Sequence, residues 1–183
     1  MVSVEVATGE HVDRVTDLWV DLARDQRAYG SHLYARANRV PVRERIARHV
    51  ANDTLLVACD SDAVGSGGDD AVGLGDDDAV GSGGSDDVVG FVTFDVQTGS
   101  YAQDVTRGLV RNVFVAEGHR DEGVGSALLA AAEVELADRG VDVVQLEVLA
   151  DNDAAKRFYR RAGYEPHRIE MEKSVESDNH SKE

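Results

Sequence analysis

The stretch Arg120-Asp-Glu-Gly123-Val-Gly125-Ser126 follows an apolar strand pattern and opens a helical one, a setting that suits an anion. Glycines let backbone come close to a ligand. The first N–H groups of a helix have no internal partner, and they point outward with the positive end of the helix dipole behind them. Arg120 adds a full charge. The chemistry on offer is phosphate binding by backbone amides. Two other phosphate motifs are excluded: no Gly-Lys-Ser/Thr follows, and the third glycine of the dinucleotide fingerprint is replaced by Leu128. A plain strand-to-helix turn has the same residues, so the loop alone leaves both readings open. His11, His32, His49, His119, His167 and His180 show no ligand spacing such as His-Glu-x-x-His, and Cys59 is the only cysteine. No metal is expected, and no internal disulfide can form.

Positioning that loop requires a sheet. Val2, Val4 and Val6 alternate with polar residues, as in a half-buried strand. Thr8 then offers a helix N-cap, and Val12, Val15, Leu18, Trp19 and Leu22 follow at helical spacing. A second helix is predicted from Pro41 to about Val50, and Thr54 to Cys59 reads as a strand. Further strands are predicted over Val88–Val96 and Leu109–Val115, with a turn at Thr98 to Gln103 between them. A helix from about Gly123 to Arg139 stops at Gly140. Val143–Leu149 reads as a strand, Asp153–Ala162 as a short helix ended by Gly163, and Tyr164–Lys173 as a last strand. This order, β-α-α-β-β-β-α-β-α-β, implies an α/β (α+β) fold, a mixed central sheet flanked by helices on both faces.

Charge narrows the partners. The formal net charge of −16 argues against nonspecific binding to nucleic acid or anionic membranes. Nine Asp and no basic residue lie between Asp60 and Asp87, so the rest of the chain totals −7. There are 16 Arg against 3 Lys and 22 Asp against 13 Glu. Acidic, Lys-poor surfaces suit proteins of salt-accumulating cells, where carboxylates hold hydration at low water activity, so a halophilic origin is expected. No apolar run approaches the roughly 20 residues of a membrane helix. The N-terminus lacks a basic region followed by an apolar block, so a cytoplasmic protein is expected.

The acidic stretch is also a repeat. Asp62-Ala-Val-Gly-Ser-Gly67 recurs from Asp70 and from Asp78, with a degenerate copy at Asp87. Gly, Asp and Ser at this density bury too little apolar surface to offset ordering entropy, so residues 60–87 read as a flexible strand-to-strand loop. A calcium-binding β-roll is the other reading, but its period and glycine placement differ. The polar tail, residues 174–183, is expected to be disordered.

The stretch from Val113 to Tyr164 resembles the Gcn5-related N-acetyltransferase (GNAT) family. One signature, Arg/Gln-x-x-Gly-x-Gly/Ala, falls on Arg120, Gly123 and Gly125, after a strand ending in Phe114-Val115. The other, Asn-x-x-Ala-x-x-x-Tyr-x-x-x-Gly-aromatic, falls on Asn152, Ala155, Tyr159, Gly163 and Tyr164. Met171 and Lys173 match the family's closing Met-x-Lys. The resemblance implies the acyl-CoA N-acyltransferase fold over residues 1–173, with acetyl-CoA as co-substrate and an amine acceptor, either a protein N-terminus or a small amine. It further implies direct attack in a ternary complex. Cys59 lies too far in sequence from both signatures to be proposed as a nucleophile.

The implied roles transfer residue by residue. Gly123, Val124, Gly125 and Ser126, with Arg120 and Asp121, would cradle the pyrophosphate. The strand edge at Val113 and Val115 would pair with the pantetheine arm, and an N–H there would polarise the thioester carbonyl. Asn152 and Ala155 belong to the same cofactor set. Tyr159 matches the residue that protonates the departing thiolate, which predicts a rate falling towards pH 10, or it is simply a packed aromatic. Many members place an acid where this chain has Arg111 and Asn112. Glu147, in a segment resembling the ribosomal-protein N-terminal acetyltransferases, is the alternative base; it also reads as a solvated strand residue. A non-catalytic acetyl-CoA sensor or interaction module is the competing function. The single strand expected after Tyr164, where many relatives have two, points to a homodimer. The acceptor would be read by Gln26–Val40 and the loop near Thr98–Gln103.

Overall fold

Alternating valines form β1 (Val2–Val6), which leads through a single 3-10 turn after Thr8 into α1 (Val12–Gln26). The protein is described by a computed structural model over residues 1–60, 87–97 and 104–175. The Asp/Gly repeat, the turn at Thr98 to Gln103 and residues 176–183 lie outside the described residues. α2 (Arg39–Ala51) keeps Pro41 in its first turn, where the missing N–H costs no helical bond. Asp17 pairs with Arg39 at 2.8 Å and Asp13 with Arg43 at 2.6 Å, lacing α1 to α2.

The remaining strands are β2 (Leu55–Asp60), β3 (Val88–Gln97), β4 (Arg107–Val115) and β5 (Val143–Leu146). They stand side by side in chain order, β1-β2-β3-β4-β5. The first three pairings are antiparallel and β4–β5 is parallel. A parallel pair needs a crossover, and α3 (Val124–Asp138) supplies it. α3 ends as the glycine at 140 implied: Gly140 has φ +77°, its N–H bonds Ala137 O, and Val141 N–H reaches back to Leu136 O.

Two faces follow from strand alternation. Leu55, Val57, Cys59, Phe91 and Phe114 form one core face with Val12, Val15, Leu18, Val42 and Ile46 of α1 and α2. Trp19 and Leu22, read as apolar-face residues, pack against it partly buried. α3 covers the other face. It sits so close that a Cβ on Gly108 would meet Leu136 Cδ2 at 2.8 Å. Leu18, Leu55, Leu128, Leu129 and Leu136 are fully buried, each contributing about 1.5–3 kcal/mol.

The chain divides after Asn152. The second unit begins with α4 (Asp153–Arg161), which closes at Gly163 (φ +92°). Gly163 N–H bonds Arg160 O at 3.1 Å and Tyr164 N–H bonds Tyr159 O at 3.0 Å, the two bonds of a Schellman ending.

Two expectations need correction. β5 stops at Leu146 rather than Leu149, because β4 bends away from it beyond Val110. No strand forms over Tyr164–Lys173. Ile169 and Met171 alternate with charged residues but are 87% and 90% exposed. Alternation marks a strand only where one face is covered and a ladder partner exists, and this segment has neither among the described residues.

Candidate functional site

The parallel ladder between β4 and β5 runs from Arg107↔Val143 to Val110↔Leu146 and stops, while β4 continues to Val115. The cause lies in β4 itself. Thr93 pairs with Asn112 and Phe94 with Val110, so Arg111 is an extra residue bulged out of the β3–β4 register. A bulge bends its strand and sharpens its twist. From Arg111 to Val115, β4 is bonded among the described residues to β3 on one side only, which leaves an edge unpaired by them at a fork in the sheet. The edge at Val113 and Val115 is therefore available to an extended chain.

At the top of that edge the strand turns into the loop. Asp121 (φ +64°) and Gly123 (φ +85°) both take left-handed backbone, a conformation tolerated by Asp and natural to Gly. Together they swing the chain into α3, whose first internal bond runs from Ala127 N–H to Gly123 O at 3.0 Å. The amides of Val124, Gly125 and Ser126 come before that bond and have no carbonyl of the helix to meet. Arg120 Nε donates to Val115 O at 3.0 Å, and its NH2 group reaches Asp25 at 2.9 Å. The guanidinium also lies over the Phe114 ring, 5.5 Å from its centroid. Arg120 thus pins the loop to the end of β4 and to the last turn of α1.

Glu147 follows the last paired residue of β5, as Arg111 follows Val110. These two are the first unpaired residues on either arm of the fork. Val110 faces α3 with its partner Phe94, so alternation puts Leu146, the last residue of β5, on that side. Glu147 is exposed. Asn152 ends the first unit, its N–H bonded to Leu149 O at 3.0 Å. In the second unit Ala155 and Tyr159 lie on α4. Tyr159 packs edge-on against Phe158 (5.1 Å) and Tyr164 (6.0 Å), and burial pushes its phenol up to about 12.

Comparison with known proteins decides the family. The acetyltransferase (GNAT) family matches residues 71–164, more than half of the chain. The chain belongs to the GNAT family.

A mycothiol acetyltransferase of Corynebacterium aurimucosum is 42% identical to this GNAT chain over 57 residues. The match covers 31% of the chain and 19% of that protein, so the chain spans about a fifth of the relative it matches. A GCN5-related N-acetyltransferase from Ralstonia eutropha JMP134 superposes with a TM-score of 0.67 at 19% identity, covering 96% of this chain and 99% of that one. A transcriptional regulator from Bacillus halodurans C-125 gives 0.66 at 18% identity, covering 96% and 100%. At such identities the structures share the fold, which is the acyl-CoA N-acyltransferase fold.

The structure assembles a polar cluster in this GNAT fold that sequence reasoning missed. Asp95 on β3 accepts a hydrogen bond from Arg111 Nε, and its other oxygen lies 3.8 Å from His49 Nδ1. His49, nearly buried at the end of α2, has Thr54 Oγ1 2.8 Å from the same nitrogen. Burial, and behind it Arg45, Arg111 and Arg48, holds His49 below its ordinary value against the pull of Asp95. Beside them Asn112 Nδ2 donates to Thr93 Oγ1 at 2.8 Å. The one legible signal was Asp95 in an otherwise apolar strand, in phase with Phe91 and Thr93.

One more group draws metal-ligand side chains together. Glu5, His11 and Cys59 bring their ligand atoms within 4.8 Å of one another beneath the start of α1. Thr8 N–H donates to His11 Nδ1 at 3.0 Å, which leaves the neutral ring's proton on Nε2, where a metal requires a lone pair. Burial, then the charges of Glu5 and Asp87, pushes the Cys59 thiol up to about 11. A ring N–H and a thiol facing one partly exposed carboxylate, each at 3.9 Å, make a polar contact rather than a prepared metal site.

Proposed function

We propose that this chain transfers the acetyl group of acetyl-CoA to the nitrogen of an amine by direct attack. The observation that carries the reading is the fork. An open strand edge from Arg111 to Val115 runs into a helix N-terminus through a left-handed glycine. An extended pantetheine arm fits such an edge as a strand would, and the amides of Val124, Gly125 and Ser126 fit its pyrophosphate. Asp121 serves through backbone, since its carboxylate repels phosphate. Asn152 and Ala155 complete the cofactor contacts.

Acetyl-CoA supplies an activated acyl group, and the residues supply geometry and protons. The amide of Val113 polarises the thioester carbonyl. Glu147 takes the proton that an ammonium must lose before it attacks. Tyr159 stays protonated throughout the working range, since its phenol is pushed up to about 12. Passing that proton outright to a thiolate with an ordinary value near 8.5 runs uphill. The phenol therefore acts as a hydrogen-bond donor to the departing sulfur. This revises the pH expectation: the falling limb moves from near 10 to beyond it. Tyr159→Phe is expected to slow turnover about 10-fold, with no change in acetyl-CoA affinity and no new fall below pH 10. A wild-type profile that drops at pH 9–10 and a Phe variant that lacks the drop would reverse this assignment.

A thiol-release assay with acetyl-CoA and a panel of amines, run beside calorimetry of acetyl-CoA binding, tests the proposal. A second reading, an acetyl-CoA-binding module without turnover, is favoured by Arg111 and Asn112 standing where many members carry an acid. Tight binding with no thiol release would select it.

The cytoplasm of a salt-accumulating cell is the setting proposed for the protein. Screening weakens the exposed Asp13–Arg43 and Asp17–Arg39 pairs, which contribute little. It also relieves repulsion across a chain of net charge −16, and the larger effect sets the sign. The melting temperature is expected to rise by about 2–4 °C for each kcal/mol of repulsion relieved between dilute and molar KCl. A flat or falling curve in a thermal melt would remove the halophilic reading.

A further inference from the structure

We infer that Arg111 recognises a carboxylate on the acceptor, so that the substrate is an amine bearing its own acid group, an α-amino acid or a compound of that kind. The inference rests on the transferase reading above and narrows it.

Arg111 stands where an acid would otherwise sit, and four observations assign it a ligand rather than a strand-pairing role. It is the residue bulged out of β4, at the point where the sheet opens. Bulges re-aim side chains beside sites. Its Nε is held by Asp95, which orients the guanidinium, and Arg carries further N–H donors in a planar fork that suits a second carboxylate. It emerges on the face of α1 and α2, where Thr93 and Asn112 form a polar floor. Arg45 and Arg48 of α2 also act on His49 together with Arg111, so further cations stand near the cluster around Asp95.

Spacing agrees with the chemistry. Arg111 precedes Val113 by two residues, roughly 7 Å along the strand, and Val113 is the residue whose amide would hold the thioester carbonyl. Glu147 is the first unpaired residue on the facing arm. An α-amino acid carries its ammonium and carboxylate on one carbon. It would present the ammonium to Glu147 and the carboxylate to Arg111, with the nitrogen left beside the carbonyl carbon. A polyamine or a lysine side chain offers nothing for Arg111 to bind.

The bland alternative is a cross-strand ion pair. Arg111 and Asp95 are 39% and 34% exposed, and pairs so exposed contribute little to stability. A structural pair and a reading pair differ in what their loss does to selectivity.

The experiment measures kcat/KM with acetyl-CoA for L-alanine and L-phenylalanine against their amides, in the wild-type chain, Arg111→Gln and Arg111→Lys. The amide amine is the less basic, so more of it is neutral at pH 7, and preference for the acid runs against intrinsic reactivity. Wild type is expected to prefer the acids by about 10–100-fold, the worth of a charge-assisted hydrogen bond to the carboxylate. Arg111→Gln should bring that ratio near 1, mainly through KM, and Arg111→Lys should retain part of it. Acetyl-CoA affinity, measured by calorimetry in all three, reports folding and cofactor binding separately. Equal use of acids and amides by wild type, or a ratio that survives Arg111→Gln, overturns the inference while the transferase reading stands. Absence of thiol release with every amine sinks both.

Discussion

Glu147→Gln is expected to cut turnover by roughly 10²–10⁴-fold while acetyl-CoA binds as before. The position argues for it more than the residue type does. Glu147 sits one step past the last rung of the β4–β5 ladder. The phosphate loop lies at the far end of the same open edge, so the substitution leaves the cofactor contacts alone. Gln keeps the size and polarity of the side chain and removes its ability to accept a proton. The rising limb of the pH–rate profile needs a control, because it also reports loss of a proton from the amine itself. Acceptors of different basicity separate the two: a limb set by Glu147 stays in place, and a limb set by the amine moves with it. A moving limb together with a fully active Glu147→Gln chain would remove the base. Rate would then come from holding a neutral amine against the thioester, where proximity alone contributes several powers of ten.

How far the sequence carried this differs between elements and site. Val12, Val15 and Leu18 at helical spacing, and the glycines that close α3 and α4, were legible because each signal is local. β5 was read too long because its end is decided by a bulge on another strand. Leu149 carries no mark that its partner has turned away. Tyr164–Lys173 failed for a related reason, since a strand requires a partner that alternation cannot supply. Within the proposed site, Gly123 and Gly125 stood out as a possible phosphate loop, and Asn152 and Tyr159 through the spacing of a family signature. Arg111 had been read only as the absence of an acid. Its pairing with Asp95, 16 residues away, and the approach of His49 from α2 belong to register and packing, which no spacing rule encodes. The trio of Glu5, His11 and Cys59 was equally hidden, and it took a hydrogen bond from Thr8 to show that His11 faces it with a proton.

Gly123→Val is expected to weaken acetyl-CoA binding by about 10³-fold or more. Each charge-assisted bond from an amide to the pyrophosphate is worth about 1.5–3 kcal/mol, and three amides, those of Val124, Gly125 and Ser126, take their direction from the backbone at Gly123. Nothing lies within 4 Å of a Cβ built there, so no clash inside the protein enters the argument. Two other causes do. With φ at +85°, a β-branched residue costs at least about 1–2 kcal/mol in left-handed backbone, enough to turn the loop out of shape. A Cβ also fills space the phosphates would approach. Gly123→Asn separates the two, because Asn accepts left-handed backbone and still carries a Cβ. Weak binding in both variants assigns the effect to close approach; near-normal binding in Asn alone assigns it to φ. The thermal melt supplies the structural control, since strain of that size lowers the melting temperature of Gly123→Val by about 2–8 °C and that of Gly123→Asn by less. Unchanged affinity for acetyl-CoA in both variants would take the loop out of the site, and with it the feature by which the helix N-terminus was read as a phosphate cradle.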